Sequence, residues 1–296
     1  MILSIDLGGT NIQYAVFDGN TTLLNHTMLT EKDFITQLKQ IVATVVTKYS
    51  NKIHCIAIGV PGPTVNNIMQ GSKPLNYNND VNFSEVLSSL DLPNPLPIVV
   101  KNDLNMAAYC ELFRGTGLKH KNFCLVSLST GIGVAAVNDG RILQGRIEMG
   151  HQVFSPEFEP QQTCTNHSNC WVSLASGNGI EKRFAVNEHK NKGTEELFKQ
   201  VLTEENIDDL QAINAQAFGN LINAYDPEVI VIMGSLGLKQ FHNIIPSAQT
   251  IECFTINRPI PAIIKSQFGE NIGVIGAYYA AREALNDKVN QHSFVF

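Results

Sequence analysis

The chain is short of the features that usually place a protein at first sight. Six cysteines are scattered over 296 residues, too irregularly for a disulfide framework, and Cys55, Cys110 and Cys124 sit in apolar contexts that predict buried thiols. Basic charge is not in excess: 21 Lys and Arg against 27 Asp and Glu leave a net charge of -6, which argues against nucleic acid as a partner, because that needs a basic face. No apolar run approaches membrane-spanning length and no basic stretch precedes the first apolar one, so neither a transmembrane helix nor a signal peptide is expected, and a cytoplasmic location is. Low-complexity segments and short-period repeats are absent. A Walker loop is missing as well, and no G-x-G-x-x-G follows a strand to open a helix, which argues against phosphate binding of the P-loop or Rossmann kind.

What is present begins with Asn102-Asp103, directly after the apolar run Ile98-Val99-Val100 and before the helical stretch Leu104 to Arg114. A carboxylate delivered by a strand end is placed to take a proton, although Asn-Asp is also an ordinary turn and helix-cap pair. Four other segments bear on the choice. Asp6-Leu7-Gly8-Gly9-Thr10 lies between two strand-like runs; its glycines make a tight hairpin whose amides can approach phosphate oxygens because no Cβ intervenes. There Asp6 could hold a hydrated Mg²⁺ and the Thr10 hydroxyl a phosphoryl group. Ser129-Thr130-Gly131-Ile132-Gly133 repeats the pattern of strand, glycine-bearing turn with a hydroxyl, then strand. Met233-Gly234-Ser235 follows the buried-strand pattern Val229 to Ile232, where a turn of small residues could let a nucleoside lie on the backbone. Glu148-Met149-Gly150-His151 spaces a carboxylate and an imidazole three residues apart, either as partners of sugar hydroxyls or with the imidazole as a metal ligand.

In this order the segments resemble the ROK family of sugar kinases and repressors, within the actin-like ATPase superfamily, over nearly the whole chain from Asp6 to the glycine-rich Gly269 to Ala277. The resemblance implies an α/β chain with the two-lobed actin-like ATPase (ribonuclease H-like) fold: mixed sheets flanked by helices and a cleft between lobes. It implies phosphate binding at Asp6, Gly8, Gly9, Thr10, Thr130, Gly131 and Gly133, and Asp103 as catalytic base, while Gly234 and Ser235 are the expected nucleoside turn on the reading of the residues themselves. It places Gly62, in the loop Gly59-Val60-Pro61-Gly62-Pro63, by the sugar, together with Asn102, Asp103, Glu148 and His151.

Two departures from the family stand out. The family's cysteine-rich loop supplies three zinc ligands to join the histidine, and then a sugar-binding glutamate. Here the stretch Cys164 to Val172 is one cysteine and one residue short, and Val172 stands in the glutamate's place. His151, Cys164, His167 and Cys170 still make an arithmetically complete tetrahedral zinc set; the other reading is a degenerate loop without metal.

The expected activity is therefore transfer of the γ-phosphoryl of ATP, with Mg²⁺, to the primary hydroxyl of a hexose or N-acetylhexosamine, the candidates being glucose, mannose, fructose, N-acetylmannosamine and N-acetylglucosamine. The alternatives are a catalytically weak sugar-sensing protein on the same fold, favoured by Val172, and an actin- or chaperone-like ATPase, in which Glu148 and His151 would have no task. A DNA-binding repressor is not expected, since the phosphate loop opens at Asp6. Family habit suggests a homodimer.

The apolar patterning predicts strands within Ile2 to Leu24, at Ile53 to Gly59, Ile98 to Val100, Phe123 to Leu128 and Val134 to Val137. It predicts helices over Lys32 to Lys48, Ser84 to Leu90, Ile207 to Tyr225 and Ile275 to Leu285, with Glu188 to Lys199 a solvated surface segment. The expected lobes are residues 1-114, rejoined by 282-296, and residues 115-281.

Overall fold

The computed structural model describes residues 1–49, 52–90, 92, 95–145, 147–154, 164, 167–184, 201 and 203–292; the surface segment expected over 188–199 lies outside them. The chain forms two compact units, Met1–Gly115 with Phe268–Phe296, and Thr116–Gln267. The return to the first unit thus comes at Phe268, not at 282. A helix is a continuous rod, and the terminal helix Ile272–His292 belongs whole to the first unit, where it packs on the helix Asp103–Arg114. A Cβ on Gly276 would fall 1.6 Å from the Met106 carbonyl oxygen, so the two backbones meet where only glycine fits.

The first unit is built on a five-stranded sheet of β1 (Ile2–Leu7), β2 (Asn11–Asp18), β3 (Thr21–Leu29), β4 (Cys55–Val60) and β8 (Ile98–Asn102). Their order across the sheet is β3-β2-β1-β4-β8. The first three form an antiparallel meander, whereas β4 and β8 run parallel to β1. Apolar residues recurring three to four apart, Phe34, Leu38, Ile41, Val42 and Val45, bury one face of the helix Phe34–Lys48 with Leu3, Ile5, Ile56 and Ile58 of the sheet. Asp33 caps that helix by accepting from the Thr36 amide at 3.0 Å.

A small sheet of β5 (Thr64–Val65), β6 (Ile68–Ser72) and β7 (Tyr77–Asn82) was not expected from the sequence, because its strands are short and polar. The signal was there: Asn66 and Asn67 both take positive φ (51° and 64°), the type I′ geometry that an Asn-Asn between short strands favours.

The second unit has its own five-stranded sheet, made of β9 (Phe123–Leu128), β10 (Ile132–Asn138), β11 (Arg141–Ile142), β12 (Val229–Met233) and β13 (Ala262–Lys265). Its order is β11-β10-β9-β12-β13. The long helix Glu204–Tyr225 buries Leu210, Ile213, Phe218, Leu221 and Ile222 in the core beside it and ends at Asp226, whose φ of 43° reverses the chain before Pro227. Among the described residues no helix is long and apolar enough to cross a membrane.

Candidate active site

Whereas Glu148 and His151 follow the antiparallel strand β11, many of the candidate residues lie at or just after the carboxyl ends of parallel strands, where open α/β sheets usually bind ligands. In the first unit these are the turn after β1, the loop after β4 and the Asn102-Asp103 corner after β8.

The β1–β2 turn is closed by a Gly8 amide bond to the Asn11 carbonyl at 2.9 Å, and the Thr30 hydroxyl donates to the Gly8 carbonyl at 2.7 Å. A side chain at Gly9 would lie 2.5 Å from the Pro74 carbonyl oxygen, so the glycine is required by packing as well as by the turn. Asp6 projects from β1 between the Gly59 backbone and the first turn of the terminal helix, where a Cβ on Gly273 would come 2.0 Å from its Oδ2. Burial, and secondarily the negative charge of Asp103, push the Asp6 carboxyl up to about 7. Desolvation is the larger effect, and the like charge of Asp103 adds to it.

At the end of β8, Asn102 works in two directions. Its Oδ1 accepts from the Leu104 amide at 3.0 Å, capping the helix Asp103–Arg114, and its Nδ2 donates to the Gly62 carbonyl at 3.2 Å. The capping reading and the site reading are therefore both satisfied by one side chain. Asp103 opens the helix, its Oδ1 accepting from the Leu104 amide at 2.8 Å. The loop carrying Gly62 is further held by Ser72, whose hydroxyl donates to the Pro61 carbonyl at 2.7 Å.

One contributor was missed by sequence reasoning. The Asn67 side chain pairs with β8 as a strand would, donating to the Ile98 carbonyl (3.1 Å) and accepting from the Val100 amide (2.8 Å). It thereby steadies the strand that presents Asn102 and Asp103.

In the second unit the turn after β9 leaves Thr130 exposed and Gly131 facing open space, with nothing within 4 Å of the point where a Cβ would stand. Backbone amides of Gly177 and Asn178 hold this turn from below, donating to the Ser129 and Thr130 carbonyls at 2.8 and 3.3 Å. Gly234, after β12, takes φ of 85°, and a Cβ there would lie 2.4 Å from the Leu128 carbonyl oxygen; Ser235 next to it is exposed. The β12 end and the last residue of β9 are thus in close backbone approach.

Glu148 is exposed and precedes the single turn Met149–His151, in which Gly150 presses against the Ile132 carbonyl and lies beside Val172. The His151 Nδ1 is 3.4 Å from the Cys164 Sγ and 3.8 Å from the Cys170 Sγ, and the His167 ring stands perpendicular to it at 5.3 Å.

The four ligand atoms of His151, Cys164, His167 and Cys170 all lie within 4.8 Å of one another. A tetrahedron with zinc–sulfur and zinc–nitrogen bonds of ordinary length has edges of roughly 3.6 Å, so the spacing fits such a set. Among the described residues the Nε2 of His167 is buried without a hydrogen-bond partner, and burial, with Cys164 beside it, raises the Cys170 thiol. The unpartnered nitrogen suits a ligand set built for a cation; the raised thiol follows from burial. Because the two ring nitrogens of an imidazole point apart, Nδ1 of His151 can serve the metal while Nε2 is directed away from it.

Two open depressions, of about 360 and 380 Å³, contain none of these residues.

A model of the ROK family matches residues 2–284. The chain is similar to a glucokinase of Halalkalibacterium halodurans, 29% identical over 222 residues that cover 67% of each chain. It is also similar to an N-acetylmannosamine kinase of Vibrio cholerae, 26% identical over 247 residues, 80% of this chain and 85% of that one. In fold it matches the crystal structure of a ROK hexokinase from Thermus thermophilus with a TM-score of 0.78 and 22% identity, over 97% and 99% of the two chains. The mixed sheets and flanking helices are those of the actin-like ATPase fold, and the chain belongs to the ROK family.

Proposed function

We propose that the protein is an ATP-dependent sugar kinase that phosphorylates a primary hydroxyl of a hexose or N-acetylhexosamine. The observation that carries this reading is the placement of Asp103 at the end of β8, electrostatically coupled to Asp6 at the end of β1. A general base and a carboxylate suited to a cation then stand beside a glycine turn.

In the proposed reaction the sugar hydroxyl oxygen bonds to the γ-phosphorus as the bond to the β–γ bridging oxygen breaks. Asp103 takes the hydroxyl proton, and ADP is the leaving group. A positioned base contributes typically about 10² to 10⁴ in rate; most of the rest of the acceleration comes from orientation and charge stabilisation, since phosphoryl transfer asks little covalent help of the protein. Asp6, with Asp103 near it, has the charge and packing to hold a hydrated Mg²⁺, which supplies neutralisation of phosphate charge when bound. Gly8, Gly9 and Thr10 of the first unit and Thr130, Gly131 and Gly133 of the second are assigned to phosphate oxygens, and Gly234 with Ser235 to the nucleoside. Asn102, Gly62, Glu148 and His151 are assigned to the sugar.

The Cys₂His₂ set is assigned to a structural Zn²⁺ that would fix the turn carrying Glu148 and His151. Val172 removes one acidic partner from the sugar side, which favours a substrate presenting an apolar substituent there, such as an acetamido methyl, over an unmodified hexose. A homodimer in the cytoplasm is part of the same reading.

The test is ATP-dependent ADP release over a panel of hexoses and N-acetylhexosamines with Mg²⁺, with Asp103→Asn as control. A sugar that stimulates the wild type and not the variant supports the kinase. If sugars raise thermal stability without turnover, the protein is a sugar-binding member of its fold.

A further inference from the structure

The terminal helix begins at Ile272 immediately after Asn271. An asparagine at a helix start commonly spends its side-chain oxygen on the first amides of its own helix. Here that oxygen is engaged elsewhere. The Oδ1 of Asn271 accepts from the Gln13 Nε2 at 2.7 Å and from the Asn25 Nδ2 at 3.0 Å, while Gln13 also donates to the Asn25 Oδ1 at 3.0 Å. Three carboxamides on β2, β3 and the helix start therefore close into one cluster, with Gln13 buried and Asn25 and Asn271 exposed.

The register shows what the cluster governs. Gln13 is the direct cross-strand partner of Asp6, and Asp6 pairs in turn with Gly59 on β4. Directly opposed residues share a face of the sheet, so Asp6 and Gln13 point to the same side, under the first turn of the terminal helix. Gly273 of that turn rests on the Asp6 carboxylate so closely that a Cβ would lie 2.0 Å from its Oδ2. The height of the helix start above the sheet therefore decides where the carboxylate can sit, and Asn271 ties that start to the sheet two residues from the contact.

We propose that Gln13, Asn25 and Asn271 form an amide clasp that positions Asp6 for Mg²⁺ and nucleotide phosphate. The clasp touches neither ligand: it acts by holding the first turn of the terminal helix against the carboxylate. This rests on the assignment of Asp6 made above. Misplacement of a charged group by about 1 Å is sufficient for effects of one to two orders of magnitude.

The test uses Asn271→Leu, which removes the shared acceptor at an exposed position, and Asn271→Asp, which keeps an oxygen able to accept both bonds. Asn271→Leu is expected to raise the Mg²⁺ concentration for half-maximal rate and the KM for ATP by about tenfold while the KM for the sugar stays within about twofold. Asn271→Asp is expected to stay within about threefold of wild type on all three. In parallel, the midpoint of MgADP-dependent thermal protection is measured, which needs no turnover and is expected to shift by the same factor in Asn271→Leu. A variant Asn271→Leu that loses thermal stability but keeps wild-type dependence on Mg²⁺ and MgADP would reduce the clasp to a structural fastening and overturn the proposal. So would Asn271→Asp behaving like Asn271→Leu. If the wild type turns over no sugar, the kinase assignment is what fails, and the MgADP midpoint still decides for or against the clasp.

Discussion

The two sheets share one topology and carry different chemistry. In each, the first strand pairs antiparallel with the next and parallel with a later one, so β3-β2-β1-β4-β8 and β11-β10-β9-β12-β13 correspond strand for strand. The hairpin turn lies at the same corner of both. In the first unit Leu7 pairs with Ile12 and leaves residues 8 to 11 in the turn; in the second Leu128 pairs with Ile132 and leaves only 129 to 131.

The penultimate residue of the first strand is Asp6 in one sheet and Ser127 in the other, and the last strand delivers Asn102-Asp103 in one and Ser266 in the other. These corresponding strand ends thus carry carboxylates in the first unit and hydroxyls in the second. One scaffold used twice can carry different chemistry in each copy, because the loops at the strand ends set the chemistry while the sheets only place them.

The largest expected effect follows from removing the base. Asp103→Asn should lower kcat by about 10² to 10⁴ and leave MgADP-dependent thermal protection near wild type; retained turnover would take the base away from the first unit and blunt the contrast between the sheets. Next in size is Asp6→Asn, which separates stability from function. The folded protein holds the Asp6 proton up to about 7, against an ordinary value of 3.8, so the native state binds more protons than the unfolded chain between these limits. Stability from this group is therefore full below about pH 4, falls as pH rises to about 7 and then levels. At ~1.4 kcal/mol per pH unit the loss reaches at most ~4 kcal/mol. Asp6→Asn carries no such loss, so in metal-free buffer its denaturation midpoint should overtake that of the wild type progressively from about pH 4 to 7, while its kinase rate collapses. Equal pH profiles would show that Asp6 is not held under electrostatic strain.

In the second unit, Gly234→Ala combines a φ of 85° with an approach of 2.4 Å to the Leu128 carbonyl, and should cost ~1 to 3 kcal/mol of stability, read by chemical denaturation. The zinc assignment makes a further distinction, since the ligand set lies wholly in the second unit. Metal analysis should find about one zinc per chain, and a strong chelator should lower the melting temperature, with His167→Ala losing most of both. Smallest is Thr130→Val, whose exposed hydroxyl is worth about one hydrogen bond, ~1 kcal/mol, seen as a several-fold rise in the KM for ATP with the sugar KM unchanged.

Much of this was legible along the chain. The strands at Phe123–Leu128 and Val229–Met233 show as mostly apolar runs because both of their faces are largely buried, and the Gly8-Gly9 turn shows because close backbone approach leaves little choice of residue. The helix Glu204–Tyr225 announces its end in Asp226-Pro227. What escaped was short and polar. The β5–β7 sheet and β11 hang on the Asn66-Asn67 and Asp139-Gly140 turns, readable as type I′ signals only with attention to the turn itself. Strand β13 is an edge strand too short to stand out.

Sequence alone determined which residue types stand at which strand ends, since those choices are local: a carboxylate after an apolar run, glycines where no Cβ fits, an asparagine that caps. Only the tertiary structure decided how they combine. The mutual influence of Asp6 and Asp103, the gathering of His151, Cys164, His167 and Cys170 within 4.8 Å, and the joining of Gln13, Asn25 and Asn271 all link residues far apart in the chain. Their distances are set by the packing of sheets and helices, which no local pattern records.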